Sequence, residues 1–248
     1  MTPTGAARRP GGAAAVAVYR LLLRHQVTTA RLALLGALGG VGVLVAAALV
    51  ARADDPVTTA THFVNGFGLG LVVPVGCLVL ASASFGDLVD DETLAYLWLR
   101  PMSRWVLAAA AWAASLSITL PLLVVPLTLA GAVGSGLEPS VTLGVAAATS
   151  LAVVAYTAVF TLLGLVVRRA LLWGLVYVFI WEFFVARVGP GAARLSINSY
   201  PASVLAEVTG VSLRLADRAL WAGVAVPLAV AAAAVALTAW RLQRAQVA

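Results

Sequence analysis

The chain has 248 residues, of which 62% are hydrophobic and only 10% charged, with a formal net charge of +6. Soluble domains carry about a quarter of their residues as charges, so this composition excludes an ordinary water-soluble domain and points to an all-α polytopic membrane protein. The positive charge is all arginine, because the sequence contains no lysine; that excludes a Walker A loop, and arginines gathered at the ends of apolar runs argue for membrane topology rather than nucleic-acid binding.

Taken from the N-terminus, residues 1–13 are rich in Pro, Gly, Ala and Arg and read as a disordered basic tail. Arg8-Arg9 is followed by Pro-Gly-Gly rather than an apolar core, which argues against a twin-arginine export signal. Residues 14–31 read as an amphipathic interfacial helix. Arg20, Arg24 and Arg31 fall within one arc of its wheel, with Val18 and Leu22 roughly opposite. Six apolar runs of about 20 residues follow, near 32–51, 63–85, 105–133, 141–167, 170–186 and 220–240. Pro121 and Pro126 predict a kink in the third. With the N-terminus inside, the cytoplasmic side collects Arg8, Arg9, Arg20, Arg24, Arg31, Arg100, Arg104, Arg168, Arg169, Arg241 and Arg244. The outside receives the smaller set of Arg52, Arg187, Arg194, Arg214 and Arg218. The positive-inside rule therefore predicts both termini in the cytoplasm. GxxxG spacing at Gly36/Gly40 and Gly66/Gly70 permits close helix contact, as at a dimer seam, though a chain with 22 glycines produces such spacing by chance.

Three stretches carry the functional reading. Between the second and third spans, residues 87–104 form a polar interruption opened by Asp90, Asp91 and Glu92 and closed by Arg100, Pro101, Ser103 and Arg104. Acids first and bases last suit a helix macrodipole, with Asp87 as N-cap, Pro101 as stop and Ser103 capping the next helix. At 100° per residue Leu94, Leu97 and Trp98 share one face, and Thr93, Tyr96 and Arg100 another. This predicts a short amphipathic helix at the membrane surface with one face free for a partner. Glu182 is the one acid inside an expected span. It must face a polar cavity, pair with Arg187 or carry a proton, because a charge at a helix centre costs about 2.5–3.5 kcal/mol on insertion scales. A structural hydrogen bond explains it more simply than a proton relay or a substrate site. Residues 187–218 have an apolar middle too short to span, which fits a pair of short external re-entrant or interfacial helices broken near Pro201 and Gly210, with a plain external loop as the alternative.

Other chemistry is absent from the pattern. The single cysteine, Cys77, lies in an apolar run and reads as packing. His25 and His62 fall at opposite ends of a span and cannot share a metal, and neither HExxH nor GxSxG occurs.

The stretch Asp90-Asp91-Glu92-Thr93-Leu94-Ala95-Tyr96-Leu97, followed by Arg100-Pro101-Met102-Ser103-Arg104, resembles the cytoplasmic signature of type-2 ABC exporter permeases. It departs from the family at Glu92, where those proteins usually have glycine. The layout is also similar: an interfacial N-terminal helix, six spans, and an external re-entrant region before the sixth. The Phe179-Ile180-Trp181-Glu182 stretch is similar to a subset of the family. The resemblance implies a permease in a bacterial cytoplasmic membrane, paired with a second permease, with ATP and Mg on two copies of a separate ATPase. Residues 87–104 would then form the coupling segment docked on that ATPase, with Thr93, Leu94, Tyr96 and Leu97 in contact. Two other readings stand beside it: a proton-coupled secondary carrier using Glu182, and a non-transporting scaffold or immunity protein. The carrier reading would usually show an inverted repeat, and none is evident.

Overall fold

The computed structural model describes residues 11–51, 53–90, 103–214 and 216–244. All regular structure among the described residues is helical. Helix α1 (Gly11–Gln26) begins inside the stretch expected to be a disordered tail. It buries Val18 and Leu22 and exposes Arg20 and Arg24, the two faces anticipated from the wheel. The expected single helix over 14–31 is in fact two. Val27, Thr28 and Thr29 form a β-branched run that is a poor helix interior. Thr28 turns extended (φ −113°, ψ 140°), and its hydroxyl accepts the Arg31 amide at 3.4 Å as the N-cap of α2 (Thr29–Val50).

The second span is a continuous helical run, Pro56–Gly86, with a changing gauge. Asp55 caps α3 (Pro56–Phe63), its Oδ1 accepting the Thr58 amide at 3.2 Å, while Pro56 occupies the first turn where no amide partner is required. Hydrogen bonds from the Thr58 side chain and amide hold the Asp55 carboxyl below its ordinary value. Val64–Val72 then widens into π-helix, which the glycines at 66, 68 and 70 accommodate. The run continues as α4 (Val73–Ala81) and α5 (Ala83–Asp90). Asp87 therefore lies within α5 and is not an N-cap, because the second span carries its helix past it without a break. Asp91 to Met102 lie outside the described residues, as does the side chain of Asp90, so the expected coupling helix falls there. Ser103 does occupy the N-cap position of α6 (Arg104–Gly134), extended, though without a side-chain cap bond.

Helix α6 runs through Pro121 and Pro126 in one unbroken assignment. It ends in a Schellman turn: the Leu137 amide donates to the Ala132 carbonyl at 2.7 Å, the Gly136 amide to Val133 at 3.4 Å, and Gly136 takes φ +69°. Helix α7 (Pro139–Val166) is the centre of the molecule, packed against α6, α4, α10 and α11. Helix α8 (Ala170–Val176) passes into a second π-helical stretch, Tyr177–Phe184, and a 3₁₀ turn, Val185–Arg187. This expected fifth span is shorter than the rest, and the helices long and apolar enough to cross a membrane number 5 among the described residues. The short α9 (Pro190–Ala193) and α10 (Ser199–Thr209) follow, then α11 (Leu220–Arg244). The break in the 187–218 region lies at 194–198 rather than at Pro201. Pro201 sits in the first turn of α10, where its missing N–H costs nothing, and Gly210 ends that helix in the left-handed conformation, φ +69°.

The two ends of the bundle are chemically distinct. At one end a buried cluster joins Val18 and Leu22 of α1, Phe85 of α5, Leu107 of α6 and Ala239 and Leu242 of α11. The arginines of α1, α6, the α7–α8 turn and α11 belong to this end: Arg20, Arg24, Arg104, Arg168, Arg169, Arg241 and Arg244. The opposite end carries the α2–α3 and α6–α7 connections, where Ala60 packs beside Gly134. The C-terminus of α10 lies there too, with Thr209 against Gly144 of α7. Asp54, Asp55, Glu138 and Glu207 lie at or near that end.

Candidate functional site

The second π-helical stretch and the 187–218 region meet at Glu182. Its side chain is 4% exposed. Tyr177, five residues back on the same stretch, donates its hydroxyl to Oε1 at 2.9 Å. The Ile197 amide donates to the same oxygen at 3.1 Å, and the Ser196 hydroxyl donates to Oε2. The partners on 196–197 form the turn between α9 and α10, which dips into the bundle. Ile197 lines a hollow shared with Pro227 and Val230 of α11. Those residues lie seven to ten positions into α11, so the turn packs about 10–15 Å along that helix from its start at 1.5 Å per residue. Ser199 completes the turn by donating to the Ala193 carbonyl at 2.7 Å and the Ser196 carbonyl at 3.0 Å. The 187–218 region thus contains two short helices, α9 and α10, and Glu182 ties the turn between them to the α8 segment.

Magnitudes decide the role of that tie. Hydrogen bonds to a charged group contribute about 1.5–3 kcal/mol each. Three of them offset the insertion cost of about 2.5–3.5 kcal/mol for an intramembrane acid. Glu182 needs no ion-pair partner to be accommodated, and the side chain of Arg187 lies outside what the structure describes.

Beside the carboxylate is a cavity of about 190 Å³, lined by Asn65, Gly66, Glu182, Ser196, Asn198, Ser199 and Arg214 among others. Asn65 belongs to the first π-helical stretch, so both wide turns among the described residues border one hollow. Wide turns of this kind recur at functional sites. The chain's two asparagines both line it. Oδ1 of each is buried without a hydrogen-bond partner. A polar hollow of this size has room for water. Beneath it runs an aromatic ladder: Tyr156 stacked on Phe160 at 5.7 Å, and Phe160 edge-on to Tyr177 at 6.4 Å.

Sequence reasoning singled out Glu182 and a pair of short helices within 187–218, but missed Tyr177, Ser196, Asn65 and Asn198. The available signal was rarity, since asparagine occurs twice in the whole chain and once inside a span. A second buried polar group was also missed. The Gln26 side-chain amide donates to the Ser84 hydroxyl at 2.9 Å, and the Ser84 and Ser115 hydroxyls meet at 2.6 Å. These join α1, α5 and α6 at the cation-rich end. Of the residues expected to couple to a partner, Asp91, Glu92, Thr93, Leu94, Tyr96, Leu97, Arg100 and Pro101 lie outside the described residues. Ser103 and Arg104 open α6. Cys77 is fully buried in the central cluster. No group of three metal-ligating side chains occurs among the described residues.

Fold and site together define a multi-pass, all-α membrane protein in which the buried Glu182 fastens the turn between two short helices. Compared with protein-family models, curated proteins and solved structures, the chain matches none.

Proposed function

We propose that this chain is the transmembrane permease subunit of an ATP-driven type-2 ABC exporter, working as a pair with two copies of a separate ATPase. The carrying observation is where the signature stretch begins and ends. Asp90 closes α5 and Ser103 precedes α6, and those two helices share one buried cluster through Phe85 and Leu107. The described residues that flank the signature stretch, Asp90 and Ser103, therefore both lie at the cation-rich end, beside α1 and the end of α11. A segment anchored at both ends on the bundle, with Thr93, Leu94, Tyr96 and Leu97 offered to a partner and Asp90, Asp91, Glu92, Arg100 and Arg104 as charged flanks, can transmit a push from an ATPase into two spans at once. The α9–α10 pair lies toward the opposite end, where it would cap a path between two permeases. ATP and Mg belong to the partner chain in this reading. The cation-rich end faces the cytoplasm, with both termini, and six segments cross the bilayer, the short Ala170–Phe184 run among them.

Leu97→Asp should leave membrane insertion intact while uncoupling ATP hydrolysis from transport. Normal partner binding and transport in that variant would contradict the docking role. The cavity beside Glu182 supports a second reading, a proton-coupled carrier. It requires flux that depends on a proton gradient and disappears in Glu182→Gln, with no ATPase involved.

A further inference from the structure

At the cation-rich end, the last turns of α7 and α11 diverge and leave a groove of about 380 Å³. Val159, Leu162 and Val166 form one wall, and Leu237, Trp240 and Arg241 the other. The walls are apolar to the rim, and Val166, Leu237 and Trp240 are 44%, 50% and 41% exposed. At the mouth the chemistry changes. The guanidinium of Arg244 sits 4.1 Å from the Trp240 ring centroid and that of Arg241 5.9 Å from it. The two residues that follow Val167 on the other wall are Arg168 and Arg169, both exposed. No acidic residue lines the groove.

An apolar slot with Arg241 in its lining and the Arg244 guanidinium over its Trp240 matches a molecule with a long hydrocarbon tail and an anionic head. The indole at the boundary is the side chain that prefers the headgroup level, and basic pockets between membrane helices are where anionic headgroups collect. We propose that the α7–α11 groove is a binding site for one anionic phospholipid, an acyl chain lying along Val159 to Leu237 and the phosphate held by Arg241 and Arg244. A neutral lipid would fill the same slot without the phosphate contacts being supplemented by net charge. The site is independent of the transport reading, since it rests only on the two helix ends.

The test uses the full chain purified in mild detergent and exchanged in parallel into phosphatidylglycerol or phosphatidylcholine of the same acyl composition. Native mass spectrometry counts the lipids retained. The expected result is retention of phosphatidylglycerol over phosphatidylcholine by on the order of tenfold, given the gain from each arginine at the headgroup level. That preference should collapse in the double variant Arg241→Gln/Arg244→Gln. Val166→Trp, which fills the groove and leaves every charge in place, should lower retention of phosphatidylglycerol as well. Equal retention of the two lipids by the unaltered chain would overturn the proposal. So would a preference that survives both sets of substitutions in variants that elute as the same folded species.

Discussion

Glu182 shows how one buried acid organises its neighbourhood. Its two oxygens take donors from Tyr177, Ser196 and Ile197, two of which lie on the turn between α9 and α10. Glutamine preserves the size of the side chain but presents an NH₂ where one oxygen stood, so one donor loses its acceptor. Glu182→Gln should therefore cost about 1–3 kcal/mol of stability, the usual penalty for a buried hydrogen-bonding group left unmatched. Ser196→Ala should reproduce part of that loss. Thermal unfolding in detergent is the measurement, and a melting point unchanged in both variants would contradict the structural role. The residue was legible in the sequence because an acid in an apolar run stands out. Its partners were not, since a serine, a tyrosine and a backbone amide become donors to one carboxylate only after the chain folds back 14 or 15 positions.

At the scale of elements, hydropathy located most of the apolar runs to within a few residues, the second starting seven residues ahead of its expected bound at Pro56, but not their internal winding. The two π-helical stretches, Val64–Val72 and Tyr177–Phe184, are set by tertiary packing around a shared cavity, and periodicity read at 100° per residue passes over them. The interfacial stretch 14–31 was read through its arginines, while its interruption at Thr28 depended on a side-chain cap. Glycine spacing did not point to the tight contact within the chain. Gly36 and Gly40, the GxxxG pair on α2, face open space, whereas a Cβ on Gly39 would stand 2.8 Å from Cβ of Pro126. The close approach of α2 and α6 thus depends on Gly39, with the Pro126 ring seated against it. Gly39→Leu should destabilise the bundle by about 1–3 kcal/mol through overpacking, while Gly36→Leu should leave monomer stability unchanged. The pair can be compared by unfolding in the same detergent, and equal effects would show that the α2–α6 contact is not the tight one. A loss of self-association in Gly36→Leu alone would instead make the exposed GxxxG face a seam between copies.

Across the whole molecule, the asymmetry of charge and the pairing of helix ends carry the functional account. The class of protein was legible from composition, because 10% charge leaves little else for 248 residues to be. The site geometry was not legible, since the α9–α10 turn and the cavity beside Glu182 are built from segments far apart in sequence. The charge asymmetry can be tested directly, because the chain's one cysteine, Cys77, is fully buried and gives a quiet background for labelling. A cysteine placed at Leu137, 73% exposed in the α6–α7 connection, should react with a membrane-impermeant maleimide in intact cells. One placed at Arg169 should react only after the cells are opened. The reverse pattern would invert the topology and put residues 91–102 outside, beyond the reach of any ATPase.

The central claim is that those residues dock on a separate ATPase, and co-purification tests it most directly. The chain is tagged at its C-terminus, extracted in mild detergent, and its companions are identified and their stoichiometry measured. The account predicts an ATPase subunit recovered in equal amount, in a complex whose mass fits two copies of each chain, and lost when Leu94 or Leu97 is replaced by aspartate. A chain that purifies alone under gentle extraction and cross-linking would contradict it.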